Sequence, residues 1–266
     1  MEKYKIFKRT EKSKNPDHRV NEDKCLFLEY SFMNDEKLCE MIVADGMGGL
    51  ADGEKASHLA VKGFAKIMYQ KILDLYLEND MENFSLTYYA DKVETAMKEA
   101  MIEANQMVCE NSDPFVETGT TLSVVVVLGH YAVIANIGDS PIYYYKKETD
   151  EFHLVSQLHT EAEMDVECGL YERYSDEYYS NDHRIYKSIG YKDHLSEDDI
   201  YTKVIGYVQS GDLFLIGSDG AFGRMKEEEI FSKVNQEKEN ESLKVLFERA
   251  REDKNDDQTA ILFKIC

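Results

Sequence analysis

The sequence predicts an α+β protein in which antiparallel sheets carry long helices on their outer faces. Strand patterns follow one another consecutively rather than alternating with helices, which is typical of antiparallel sheets. Two long stretches repeat apolar residues at helical spacing. The 266 residues include only three prolines and no linker-like or repeated segment, so we expect one domain over residues 1–266.

The predicted strands are apolar or alternating runs that end at turn residues. They cover residues 24–30, 38–44, 120–128, 131–137, 142–145, 204–208, 213–216 and 259–265. Helical spacing predicts helices over residues 53–78, 87–111, 226–234 and 242–251. Residues 157–197 are polar, rich in tyrosine and poorly periodic. A segment of this kind in a compact domain is usually functional, and we interpret it as a flap.

The composition argues against several classes of partner and site. A formal net charge of −21 repels nucleic acid and anionic membrane surfaces. No apolar run is long enough for a membrane span, and the N-terminal residues lack the apolar core of a signal peptide. The five cysteines are scattered without a CxxC pair, which argues against zinc and disulfide sites. We therefore expect a cytoplasmic protein, and we interpret it as a monomer.

Four acidic side chains share one setting, because each lies where an apolar run meets a turn. They are Asp45, Asp139, Asp219 and Asp256. An isolated aspartate before glycine is more often only a turn residue. Strand ends on a rigid sheet, however, can hold several carboxylates in fixed positions. Four such positions in one domain favour a shared purpose.

Converging carboxylates repel one another unless a cation neutralises them. A set of aspartates without histidine or cysteine suits the hard cations Mg²⁺ and Mn²⁺. Two such ions about 3.5–4 Å apart activate water and stabilise a phosphoryl group during in-line displacement. The residues alone therefore indicate hydrolysis of a phosphate ester.

Six short motifs occur in an order that resembles the type 2C metal-dependent protein serine/threonine phosphatases, in particular the bacterial type. The motifs are Asn21-Glu22-Asp23, Asp45-Gly46-Met47-Gly48-Gly49, Gly119-Thr120-Thr121-Leu122, Gly138-Asp139-Ser140, Ser218-Asp219-Gly220 and Asp256-Asp257-Gln258-Thr259. Each triplet alone is weak evidence, but six in sequence over nearly the whole chain make a strong match. The resemblance implies a four-layer α-β-β-α sandwich of two antiparallel sheets flanked by helices.

The resemblance also implies a site and a reaction. It implies that phosphoserine and phosphothreonine in proteins are hydrolysed by a water that bridges two Mn²⁺ or Mg²⁺ ions, with an opposing serine/threonine kinase as a functional partner. Asp45 is expected to bridge the ions and the Gly46 carbonyl to bind one of them, while Asp219 and Asp256 complete the other. The same resemblance assigns further residues to the site: Glu22 and Asp23, which reach the metals directly or through water, and Asp139, which shares a third, weaker site with Asp219.

Three positions depart from the family pattern. The phosphate-binding arginine expected four residues before Glu22 is replaced by His18, with Arg19 one residue late. Either of these two side chains is therefore expected to bind phosphate. Met47 stands where many eukaryotic members have a histidine, and Gly223 stands where an outer acid is usual. The weakened arginine position motivates an alternative, an inactive pseudophosphatase that binds phosphoproteins as a regulator.

Overall fold

The two long helices and the strands of the sequence pattern form a layered structure. The computed structural model describes residues 4–16, 18–31, 36–47, 52–77, 85–113, 115, 118–190, 194–235 and 239–266. Its strands are β1 (Tyr4–Glu11), β2 (Lys24–Ser31), β3 (Lys37–Ala44), β4 (Gly46–Met47), β5 (Gly119–Thr120), β6 (Leu122–Leu128), β7 (Tyr131–Ile137), β8 (Ile142–Lys146), β9 (Glu151–Leu154), β10 (Tyr201–Gly206), β11 (Leu213–Gly217) and β12 (Gln258–Ile265). Its α-helices are α1 (Asp52–Leu77), α2 (Leu86–Asn111), α3 (Glu161–Glu167), α4 (Asp176–Asn181), α5 (Glu227–Val234) and α6 (Ser242–Ala250).

Ten of these strands build two antiparallel sheets. The first sheet has the order β1-β12-β11-β8-β9, and the second has the order β10-β7-β6-β3-β2. The short strands β4 and β5 pair separately, with Gly46 opposite Thr120. The predicted α+β class with antiparallel sheets is therefore confirmed.

The central strands explain how the layers stack. Every residue of β6 is buried, and its side chains alternate between two apolar clusters. Val124 and Val126 face the cluster shared with α1 and α2, whereas Val125 and Val127 face the cluster between the two sheets. Valine suits this position because its branched side chain packs well on a pleated surface. Because both faces of β6 are buried, its sequence is one continuous apolar run.

The helices form the two outer layers. In α1 the buried stripe includes Ala60, Phe64 and Met68, and in α2 it includes Ala100 and Ala104. The other helical layer, α5 and α6, packs on the first sheet in a third apolar cluster. The result is the four-layer α-β-β-α sandwich that the sequence analysis predicted. No helix in the described ranges is both long and apolar enough to cross a membrane.

The sequence analysis missed three strands: the two-residue strand β4, and β1 and β9, which lie at the two edges of the first sheet. The exposed positions of β1 carry lysines and other polar side chains, and β9 has only four residues. Charged and short edge strands are common because they hinder pairing with other chains, and they weaken the apolar signal. The predicted strand 204–208 is shifted, since β10 covers Tyr201–Gly206 and Tyr207 follows it with a φ of 60°.

Residues 157–197, apart from 191–193, contain more regular structure than their sequence indicates. The segment includes α3 and α4, each capped by a hydroxyl group: Thr160 accepts a hydrogen bond from the Glu163 N–H, and Ser175 accepts one from the Tyr178 N–H. An isolated bridge pairs Thr120 with Ile189. These contacts attach the segment beside β5, close to the strand ends described next.

Candidate metal centre

The four aspartates singled out by the sequence lie at one common edge of the two sheets. Asp45 and Asp139 follow β3 and β7 of the second sheet, whereas Asp219 follows β11 and Asp256 precedes β12 of the first sheet. In an antiparallel sheet, the end of one strand lies beside the start of its neighbour. Each sheet therefore carries two of the four aspartates at this edge. The charges of Asp139, Asp219 and Asp256 all act on Asp45.

The threonine motif holds the backbone of Asp45 in place. The Asp45 N–H donates to Thr121 Oγ1 over 2.9 Å, and the Thr121 N–H donates back to the Asp45 carbonyl over 2.9 Å. Thr120 Oγ1 donates to the same carbonyl over 2.8 Å. Thr121 Oγ1 also shares a hydrogen bond with Ser140 Oγ over 2.6 Å. The threonine motif, directly before β6, therefore fixes the backbone of Asp45 by hydrogen bonds.

Gly46 lies where three backbone segments meet. A methyl group on Gly46 would overlap the carbonyl oxygen of Gly53 in α1 and would lie 2.8 Å from the carbonyl oxygen of Glu22. Only glycine leaves room for this close approach. Residues 48–49 of the same motif lie outside the described residues. The Glu22 N–H donates to Asp257 Oδ2 over 2.7 Å, so the first and last motifs of the chain are in direct contact.

Asp23 is a buried carboxyl group with incomplete hydrogen bonding. The side chain is 3% exposed. Ser218 Oγ donates to Asp23 Oδ2 over 2.7 Å, whereas Oδ1 has no hydrogen-bond partner among the described residues. Burial raises the pKa of Asp23 to about 7, although the hydrogen bond from Ser218 lowers it in part. An unpartnered buried oxygen of this kind is costly unless another group, such as a cation, binds it.

Asp45 and Asp139, which follow strands of the second sheet, also have raised pKa values. Burial raises the pKa of Asp45 well above its usual range, and the negative charges of Asp23 and Asp219 raise it further. Burial and the charge of Asp219 raise the pKa of Asp139 to about 8. These shifts therefore have two physical causes: burial disfavours the charged form of each carboxyl group, and the neighbouring carboxylates repel one another.

One ammonium group lies among these acids, and the sequence analysis missed it. Lys254 Nζ forms an ion pair with Asp219 Oδ2 and a second one with Asp256 Oδ2 over 3.2 Å. Burial alone would raise the pKa of Asp219, but the ammonium group of Lys254 lowers it overall. In the sequence, Lys254 stands in a polar stretch between a helix and a strand, where a lysine usually faces solvent. No sequence signal distinguishes it.

The donor set fits divalent cations in charge and in chemistry. Within the described ranges, no three acidic, histidine or cysteine side chains are gathered closely enough to enclose an ion. Two of the acids, Asp219 and Asp256, instead form ion pairs with the Lys254 ammonium group. One unit of positive charge does not neutralise the surrounding aspartates. Oxygen ligands with excess negative charge are the environment that Mg²⁺ and Mn²⁺ prefer.

The two candidates for phosphate binding lie on the segment that precedes β2. Arg19 is exposed, and its side chain makes no hydrogen bond or ion pair within the described residues. His18 is half-buried, and its carbonyl oxygen accepts a hydrogen bond from Lys12 Nζ over 2.7 Å. Neither side chain lines the cavity described next.

A cavity of about 270 Å³ opens beside the carboxylates. Its lining includes Asp139, Asp219 and Lys254, together with Tyr174 and Tyr178 of residues 157–197. Tyr178 is fixed because its hydroxyl group donates to Glu163 Oε1 over 2.6 Å. The segment that the sequence analysis interpreted as a flap therefore borders the predicted site.

The chain is similar to proteins that are named as phosphatases. The family described as Protein phosphatase 2C matches residues 12–260. The protein phosphatase PhpP of Streptococcus pneumoniae (strain D39 / NCTC 7466) is 28% identical over 190 residues, which are 71% of this chain and 70% of that protein. The serine/threonine phosphatase stp of Listeria innocua is 26% identical over 207 residues, which are 75% of this chain and 73% of that protein.

Solved structures show the same fold. The PPM Ser-Thr phosphatase MsPP from Mycobacterium smegmatis, in complex with cacodylate, superposes with a TM-score of 0.71 at 24% identity and covers 98% of this chain and 97% of its own. The catalytic domain of the phosphatase PstP, in complex with two manganese ions, has a TM-score of 0.70 at 23% identity, with the same coverage.

The family match and the relatives named as phosphatases identify a protein phosphatase. The chain belongs to the protein phosphatase 2C family, whose members are metal-dependent. The predicted family and enzyme class are therefore confirmed. The relatives are named as phosphatases, so the comparisons do not support the alternative of an inactive, phosphoprotein-binding regulator.

Proposed function

We propose that this enzyme hydrolyses phosphoserine and phosphothreonine in proteins with two Mn²⁺ or Mg²⁺ ions held by the aspartate cluster. The observation that carries the proposal is the convergence of four aspartates at one edge of the sheets, where the charges of Asp139, Asp219 and Asp256 act on Asp45. Relatives named as serine/threonine phosphatases, and a structural neighbour with two manganese ions, support the substrate class and the number of ions.

Each aspartate has a defined place in this proposal. Asp45 would reach both ions, the Gly46 carbonyl would bind one of them, and Asp219 and Asp256 would hold the other. When bound, the ions supply an activated water and neutralise charge on the phosphoryl group. Asp23 fits a supporting role because its free Oδ1 offers lone pairs in a buried setting.

Other assignments extend the same proposal. Glu22 would act beside Asp23, and Asp139 together with Asp219 would form a third, weaker cation site. His18 or Arg19 would bind the phosphate group. An opposing serine/threonine kinase, a cytoplasmic location, a monomeric state and one domain over residues 1–266 remain predictions.

Alanine substitutions at the cluster test the proposal. Asp45→Ala and Asp219→Ala should each abolish Mn²⁺-dependent hydrolysis of an aryl phosphate, because each removes a carboxylate that holds the ions. Both variants should stay folded. Asp45→Ala relieves repulsion among the other carboxylates, and in Asp219→Ala the Lys254 ammonium group keeps its ion pair with Asp256. Circular dichroism and thermal unfolding check the fold.

The matched control is Asp91→Ala, which makes the same chemical change on an exposed position of α2. It should hydrolyse the aryl phosphate at the wild-type rate. Wild-type turnover by Asp45→Ala or Asp219→Ala would contradict the assignment of the site.

A further inference from the structure

Lys254 places a positive charge directly on two of the proposed metal ligands. Its ammonium group contacts both Asp219 and Asp256, and its side chain remains 39% exposed. The side chain is therefore a cation in the position where a divalent ion would neutralise the same oxygens.

The backbone around Lys254 is fixed, whereas its side chain has room to move. The Lys254 N–H donates to the Ala250 carbonyl over 3.1 Å, and the next residue, Asn255, accepts hydrogen bonds from Ser13 and Lys14. The flexible stem of a lysine allows its ammonium group to change partners without a backbone shift. The 270 Å³ cavity beside the carboxylates provides the space, because Lys254 lines it.

The two arginines that line this cavity contact groups other than the proposed metal ligands. Arg173 forms an ion pair with Glu163. The Arg224 guanidinium group lies 5.1 Å from the ring centre of Tyr179, and it is exposed. Lys254 is thus the cavity cation that already contacts the proposed metal ligands.

We propose that Lys254 is a mobile cation of the active site, which pairs with Asp219 and Asp256 in the absence of divalent ions and contacts the phosphoryl oxygens of the substrate once ions are bound. The inference rests on the proposed function, because it requires ions at these two carboxylates. Bound divalent cations would repel the ammonium group, and a phosphate anion in the adjacent cavity is its natural new partner.

Lys254→Met tests the first half of the proposal without any measurement of activity. Removal of a competing cation should lower the Mn²⁺ dissociation constant by about three- to tenfold in titration calorimetry. In a chelator, the variant should melt at a lower temperature than the wild type, because the carboxylates lose their neutralising partner. Saturating Mn²⁺ should abolish this difference. A merely structural lysine would lower the melting temperature equally in both conditions.

Inorganic phosphate tests the second half. As a competitive inhibitor of the Mn²⁺-loaded enzyme, it should bind Lys254→Met about tenfold more weakly than the wild type, because a charge-assisted hydrogen bond is lost. Lys254→Arg keeps the charge and should restore most of the phosphate affinity. Phosphate affinity unchanged in Lys254→Met would overturn the contact with phosphoryl oxygens.

Lys71→Met is the matched control, since it removes the same charge from an ion pair with Glu99 on the surface of α1 and α2. It should leave Mn²⁺ and phosphate affinity unchanged. If Lys254→Met behaves like this control while the wild type binds Mn²⁺ and hydrolyses phosphopeptide, only the inference fails. A wild-type protein that binds no Mn²⁺ would overturn the proposed function itself.

Discussion

Glu40 is a carboxyl group in the apolar layer between the second sheet and α1. Its side chain is fully buried, Oε2 accepts a hydrogen bond from the Tyr30 hydroxyl over 3.1 Å, and Oε1 has no partner among the described residues. Burial raises the pKa of Glu40 to about 8, and the Tyr30 hydrogen bond offsets this only in part. The folded protein therefore keeps this group protonated at neutral pH.

This raised pKa predicts a pH dependence of stability. The folded state holds a proton that the unfolded chain loses above its ordinary pKa near 4.5, so the Glu40 contribution to stability falls as pH rises from there to about 8. Glu40→Gln cannot ionise and should be more stable than the wild type at pH 8 by about 1–3 kcal/mol. Urea unfolding at pH 5 and pH 8 measures the difference. Equal differences at both pH values would contradict the prediction.

Asp257 joins the N-terminal segment to the start of β12. Its Oδ1 accepts from the Ser13 N–H over 2.6 Å, its Oδ2 accepts from the Glu22 N–H over 2.7 Å, and the side chain is buried. Asp257→Asn would turn an amide NH₂ group towards one of these N–H donors. We expect a loss of about 1–3 kcal/mol in the free energy of unfolding, measured by urea titration.

The control for this variant is Asp91→Asn on the exposed side of α2, which should have wild-type stability. Wild-type stability of Asp257→Asn would contradict the prediction that its two hydrogen bonds stabilise the N-terminal segment. The same anchor positions Glu22 and Asp23, so the variant should also lose activity.

Glu163 is a buried acid at the start of α3, within residues 157–197. Glu163 accepts the Tyr178 hydroxyl proton in a hydrogen bond and forms an ion pair with Arg173, which links α3 to α4. Glu163→Gln removes the charge from this network. Limited proteolysis within residues 157–197 should accelerate about fivefold or more, because local opening becomes easier.

Glu161→Gln provides the comparison, since Glu161 lies on the same helix but pairs with Arg184 at an exposed position. It should be cleaved at the wild-type rate. Equal cleavage rates of Glu163→Gln and the wild type would mean that other contacts hold the flap.

At the scale of the whole molecule, the sequence predicts the layers because their periodicities are strong. Strand β6 is one continuous apolar run because both of its faces are buried, and α1 has an apolar stripe because one of its faces is buried. Edge strand β1 has a weaker signal, because lysines and other polar side chains occupy its exposed positions. Helices α3 and α4 are too short for periodicity to identify.

The site is predictable to a similar extent and for a similar reason. Asp45, Asp139, Asp219 and Asp256 are visible because each stands at the junction of an apolar run and a turn. The roles of Lys254 and Asp257 cannot be predicted from the sequence, because they depend on contacts between distant segments. Only the folded chain shows that an ammonium group and a backbone anchor meet at the same edge of the sheets.

The most direct test of the two-metal phosphatase is phosphate release from a phosphothreonine peptide as a function of Mn²⁺ concentration. The proposed function predicts turnover that rises with Mn²⁺, stops when a chelator is added and is absent in Asp219→Ala. Turnover that persists in the chelator would contradict it, as would a wild-type protein that binds Mn²⁺ but releases no phosphate.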